Sequence, residues 1–150
     1  MFQPPLPQLP PEDAVLNENV LRSSRYGDIY FSTENGLAET RHVFIKGTGL
    51  PDKLTEERQL IVAETGFGTG LNFLAVVAET MRLKSRTKID FISVEGCPPD
   101  KQQVAVALSA FPELRQIYFK MLQQWPRRWL GVHHMSFLDG QISLHLHYGQ

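Results

Sequence analysis

The sequence predicts an α/β protein organised around a parallel βαβ unit, and three stretches carry that reading. "QLIVAET", residues 59–65, is a short apolar run of the kind that forms a parallel strand buried on both faces. "GFGTG" follows at once, and Leu71, Leu74, Ala75, Ala78 and Met81 then recur near helical spacing, with Val77 widening the stripe. "KIDFISVEG" supplies a second strand over Lys88 to Glu95. Two parallel strands need a crossover, and the helix between them provides it, in the right-handed sense.

The remaining elements follow in order. Met1 to Pro11 hold five of the ten prolines and cannot form a helix interior, so residues 1–24 are read as a Pro-rich N-terminal arm, extended and either docked or mobile. Asp28 to Ser32 reads as a short strand, and Asn35-Gly36 as a turn. Ala38 to Ile45 is ambiguous and is taken as a helical turn leading into a strand. "GTGLPDKLTEER" is a loop with a short helix. A helix begins after Pro98-Pro99 with Asp100 favourable in its first turn, and "PELRQIYFKMLQQWP" is another, closed by Pro126. The tail forms a hairpin about Asp139-Gly140. Pairing Leu138 with Gln141 sets His134 opposite His145 and Val132 opposite His147. Met135, Phe137, Ile142, Leu144, Leu146 and Tyr148 then share one face, which should be buried.

Composition excludes several classes. A chain of 150 residues suffices for one domain with a real core. A net charge of -1 gives no push toward nucleic acid or membrane. No apolar run approaches the ~20 residues that span a bilayer. The N-terminus lacks the cationic and apolar regions of a secretory signal, and the single cysteine, Cys97, excludes an internal disulfide framework. A cytoplasmic location is expected.

A strand, a glycine-rich turn and a helix make a nucleotide-cofactor site, because the helix N-terminus offers free amides and missing side chains admit a ligand to the backbone. The same turn is equally a tight connection needing glycine only for its own geometry. No Gly-Lys-Ser/Thr follows, so this is not a phosphate-binding P-loop. Leu71 replaces the third glycine of the dinucleotide fingerprint, which leaves an NAD-dependent enzyme as a third choice. What remains is E-x-G-x-G-x-G from Glu64 to Gly70, which resembles the first motif of Rossmann-like S-adenosyl-L-methionine (SAM) methyltransferases. Glu95, ending the next strand, can accept hydrogen bonds from ribose hydroxyls, or it is a solvated strand-end glutamate.

"DIYFSTENGLAETRHVFI", "VAETGFGTGLNFLA" and "IDFISVEG" stand in order, followed by "FPELRQIY", "QWP" and "HHMSFLDGQISLHLHYG". Together they resemble the methyltransferase domain of the MnmC family, the bifunctional tRNA 5-methylaminomethyl-2-thiouridine biosynthesis proteins, from about Arg25 onward. The implied fold is the Rossmann-like SAM-dependent methyltransferase fold, incomplete at its C-terminal side, with residues 25–150 as the SAM-binding part. The implied reaction is methyl transfer from SAM to the aminomethyl group of a modified wobble uridine, on a tRNA held partly by phosphate contacts. By the same resemblance Glu64, Gly66, Phe67, Gly68, Gly70 and Asn72 line the methionine end, and Glu95 meets the ribose. Tyr30 and Ser32, with Asn35, Gly36, Glu39 and Thr40, either close over the cofactor or form a structural lid.

Two departures stand out. Gln150 replaces the aspartate usual in the family, and the family's domain continues for roughly another hundred residues. The resemblance implies that the continuation holds the catalytic aspartate, so no catalytic residue is assigned within this sequence. Self-association, or a completing partner chain, is expected to cover the resulting sheet edge and apolar face. The competing class is a non-catalytic scaffold that retains the fold.

Three further features have two readings each. His134, His145 and His147 share the polar face of the hairpin, where they could bind zinc or nickel, although a solvated strand face is the simpler reading and no metal is assigned. Cys97 reads as a structural thiol. Arg127-Arg128 between Trp125 and Trp129 is either an RNA contact or an exposed helix end.

Overall fold

The computed structural model describes residues 7–9, 14–18 and 20–149. Its centre is a four-stranded sheet of order β3-β4-β6-β5, where β3 is Gln59–Thr65, β4 Lys88–Glu95, β5 Gly131–Phe137 and β6 Ile142–Tyr148. β3 pairs parallel to β4, and β4 parallel to β6, while β5 returns antiparallel along β6. Helix α3, Leu71–Arg82, makes the crossover from β3 to β4. The hairpin register is as expected, with His134 opposite His145 and Val132 opposite His147. Asp139 and Gly140 both take positive φ, as the two-residue hairpin turn requires, and Leu138 joins them at φ 51°.

The helices pack on one face of this sheet. Phe73 of α3 sits edge-on to Phe91 and Phe137 at 5.1 and 4.9 Å between ring centroids, all fully or nearly fully buried. Helix α4, Lys101–Leu108, opens on a capping box in which Asp100 accepts from the Gln102 amide at 2.8 Å. Helix α5, Arg115–Gln123, follows a 3-10 turn at Pro112–Leu114 and buries Tyr118, Met121 and Leu122.

Three expectations need correction. β3 is covered on one face only: Gln59, Ile61, Ala63 and Thr65 are exposed because no described element packs on that face of the sheet, so only alternate residues are covered. Asp28–Ser32 is not a strand; a single bridge joins Ile29 to Arg22, and the chain bends at Tyr30. The turn read at Asn35-Gly36 is present over residues 33–35, and helix α1, Gly36–Thr40, starts directly after it. The chain then continues as a π-helical segment, Arg41–Lys46, in place of the expected strand. There Ile45 turns inward while Val43 stays exposed, and Thr48 Oγ1 closes the end by donating to the Phe44 carbonyl at 2.7 Å. Helix α2, Leu50–Glu56, is the short helix anticipated in the following loop.

An element outside the expectations is a hairpin of β1, Ala14–Asn17, and β2, Val20–Ser23, packed on α4 through Leu21, Ala14 and Ala107. Gln103 Nε2 donates to the Ala14 carbonyl at 2.6 Å. Pro7 to Leu9 run along residues 128–130, with the Leu9 amide donating to Arg128 O at 2.8 Å. The rest of the proline-rich stretch, and Gln150, lie outside the described residues.

Candidate cofactor site

The site forms where β3 and β4 end and α3 begins. Gly66, Gly68 and Gly70 take φ of 78°, 55° and 81°, a region that L side chains rarely adopt, so the turn requires glycine at each. The three do different work. Nothing would meet a Cβ at Gly66, and its amide donates to Val94 O at 2.8 Å. Gly68 faces the ring of Tyr30. Gly70 starts α3, and a Cβ there would stand 2.8 Å from Phe67 Cζ and 3.0 Å from Met121 Sδ, so it is needed for packing.

Glu95 fastens the turn. Its Oε2 accepts from the Gly68 amide and its Oε1 from the Cys97 amide, both at 2.8 Å. One carboxylate thus bridges the loop after β3 and the loop after β4. Each oxygen keeps a further lone pair for another donor.

Glu64 is placed differently. It accepts from Asn72 Nδ2 at 3.0 Å and from Ser93 Oγ at 3.1 Å. Burial pushes its carboxyl up to about 7, the bonds from Asn72 and Ser93 oppose that, and the Glu95 charge adds to it. Glu64 lines neither neighbouring cavity and stands behind Asn72, which lines one.

Two cavities meet at Gly68, and a third, of about 540 Å³, is lined by Gly66, Glu95 and Gly149 among others. The first of the two, also of about 540 Å³, is lined by Ser32, Gly36, Glu39, Thr40, Phe67 and Asn72 among others. The second, of about 410 Å³, includes Asp28, Tyr26, Glu95 and Cys97. Ile29, Tyr30, Gly66 and Gly68 line both. The structure therefore brings Tyr30, Gly66, Phe67, Gly68, Asn72 and Glu95 together, with Glu64 one contact behind. Gly70 is turned into the core, and Phe67 is buried with its ring near Phe73 and Trp125. Asn35 is exposed and outside the first cavity's lining. Sequence reasoning missed Asp28, Tyr26, Val43 and Phe44 as lining residues, and the bond from Arg25 Nη1 to Cys97 Sγ at 3.1 Å. That pair is separated by 72 residues, and no local pattern announces it.

The histidines lie away from this site. His134 and His145 meet edge to face at 4.8 Å, and His145 Nε2 lies 3.0 Å from Asp90 Oδ1, a carboxylate that sequence reasoning did not pair with them. That hydrogen bond holds the Asp90 carboxyl below its usual range. Among the described residues no group of three or more histidine, cysteine or acidic side chains is arranged to hold a metal. His133 Nε2 lies 2.7 Å from the Trp129 carbonyl, and Arg127 lies over the Trp129 ring at 5.4 Å. No described helix is long and apolar enough to cross a membrane.

A parallel βαβ unit whose glycine turn borders cavities, with an acidic residue ending the second strand, defines a Rossmann-like α/β protein. The chain is homologous to the MnmC proteins. It is 44% identical over 130 residues to the tRNA 5-methylaminomethyl-2-thiouridine biosynthesis bifunctional protein MnmC of Leptospira borgpetersenii, a match covering 85% of this chain and 20% of that protein. The MnmC proteins of Aeromonas hydrophila (39% over 133 residues) and Marinobacter nauticus (37% over 150 residues) are similar to it over 85% and 95% of this chain, and 20% and 24% of their own lengths. The chain thus spans about a fifth of the length of the curated relatives it matches. Its fold matches that of MnmC2 from Aquifex aeolicus with a TM-score of 0.67 at 18% identity, over 96% of this chain and 44% of that one. No protein-family model matches the chain.

Proposed function

We propose that this chain is the SAM-binding part of a methyltransferase that acts on the aminomethyl group of a modified wobble uridine in tRNA. The observation that carries the reading is Glu95. Its carboxylate fastens the glycine turn through the Gly68 amide and also lines the second cavity, with lone pairs left for ribose hydroxyls. The residues present fit such a ligand. Gly66 leaves open space over the backbone, and Ile29, Tyr30, Gly66 and Gly68 line the cavities on both sides of the turn.

In this reading Asn72, held by Glu64, presents its amide to the methionine end of the cofactor. Gly66 and Gly68 admit the ligand to the backbone, and Glu95 orients the ribose. SAM, when bound, supplies the methyl group. Glu39, Thr40 and Ser32 line the first cavity and close its far side. The homology supports tRNA as the substrate. A cytoplasmic setting and a second chain over the open part of the sheet, a further copy or a completing partner, belong to the same proposal.

Calorimetric titration with SAM and S-adenosylhomocysteine, with NAD as control, tests it. Binding of the adenosyl ligands alone, abolished in Glu95→Ala, is the expected result. No binding of either ligand would favour a fold-retaining scaffold. Methyl transfer to tRNA bearing the aminomethyl group then separates an active enzyme from a binding module.

A further inference from the structure

The carboxylate in the wall of the first cavity is not the one that the glycine motif supplies. Glu64, the acid of that motif, is held by Asn72 and Ser93 and lines neither cavity that meets at Gly68. Glu39 of helix α1 stands in the wall instead. It is exposed, and its side chain makes no hydrogen bond or ion pair with another described residue. Both of its oxygens are therefore open to donors from a ligand. Among the described residues no lysine, arginine or histidine lines this cavity, so a cationic group entering it meets no like charge.

The opposite polarity comes from the start of α3. Leu71 and Asn72 line the same cavity, and no side chain caps the first amides of the helix. Such amides favour an anion. One cavity thus presents a carboxylate and a helix N-terminus, the complement of an α-amino acid zwitterion. We propose that Glu39 is a specificity-determining residue, which receives the α-ammonium of the methionine end of the ligand while the first amides of α3 face its α-carboxylate. This inference rests on the SAM-site reading above and deepens it. Glu39 serves the amino-acid end and Glu95, which lines the second cavity and not the first, serves the ribose.

The test titrates two ligands by calorimetry into the wild-type chain and Glu39→Gln. One is S-adenosylhomocysteine, and the other is its analogue with hydrogen in place of the α-amino group. Glutamine keeps the shape of the side chain and removes its charge at an exposed position, so the variant folds. S-adenosylhomocysteine should bind Glu39→Gln about fivefold more weakly than wild type, the upper end of what a solvent-accessible ion pair supplies. The deamino analogue has no ammonium to lose and should bind both chains equally, and the wild type should favour S-adenosylhomocysteine over it by a similar factor. Weakening of both ligands by the same factor gives Glu39 a merely structural role and overturns the proposal. An affinity for S-adenosylhomocysteine that does not change in Glu39→Gln overturns it as well. In either case the adenosyl site itself stands. Failure of the wild-type chain to bind either ligand removes the SAM-site reading, and this inference with it.

Discussion

The two faces of the four-stranded sheet differ in what covers them. One carries Ile89, Phe91, Leu144, Leu146 and Phe137, and the helices bury all of them. The other carries Ile61, Ala63, Ile92, Val94 and Val132 beside Asp90, His134, His145 and His147. Ile61 is 68% exposed and Val132 52%, values that no core position approaches. The same strands and the same period of two produce both faces, so the difference lies in the partner layer and not in local propensity. The covered face therefore supplies most of the stability and fixes the origin of α3, on which the glycine turn depends.

Substitutions test that division, beginning with the largest effect. Phe73→Ala leaves a cavity between Phe67, Phe91 and Phe137 and should cost about 3–5 kcal/mol in urea unfolding. A loss below about 1 kcal/mol there would mean that the covered face does not dominate.

Glu64→Gln comes next. The folded chain holds the Glu64 carboxyl at about 7, above its ordinary 4.5, so the folded state binds the proton more tightly than the unfolded state does. Stability contributed by this group is present at low pH and is lost as pH rises from about 4.5 to about 7. The penalty at pH 8 is on the order of 3 kcal/mol at most, and the amide removes most of it. The variant should be more stable than wild type at pH 8 and nearly equal to it at pH 4. Identical pH profiles would reject the assignment.

Asp100→Ala removes the cap of α4 and should lower stability by about 1 kcal/mol, read as a shifted urea midpoint at constant slope. Ile92→Thr on the open face should change stability by less than about 0.5 kcal/mol in dilute solution. A markedly larger loss, growing with protein concentration, would mean that a second chain covers this face and that the contrast between faces belongs to the monomer alone.

Much of this architecture was legible because it rests on local signals. β4 is bounded as its sequence indicated, and the hairpin register followed from Asp139-Gly140 and strict alternation. The glycine turn and Glu95 were legible as well, since spacing alone sets them at adjacent strand ends. What failed depended on distant partners. β1 and β2 are four residues each and acquire definition from α4, far along the chain. Arg41 to Lys46 holds a β-branched and aromatic run that local propensity assigns to a strand, yet burial of Ile45 among the helices wins. Exposure of β3 could not be read from "QLIVAET", because a strand's neighbours are not written in its own sequence.

The carboxylate of Glu95 makes two backbone amides from separate loops into one reporter. Gly68 and Cys97 should exchange their amide protons with solvent as a pair, since opening one side releases the same acceptor group. A ligand that settles on that carboxylate slows both together. Deuterium uptake at two positions 29 residues apart in sequence then reads occupancy of the site without any measure of catalysis.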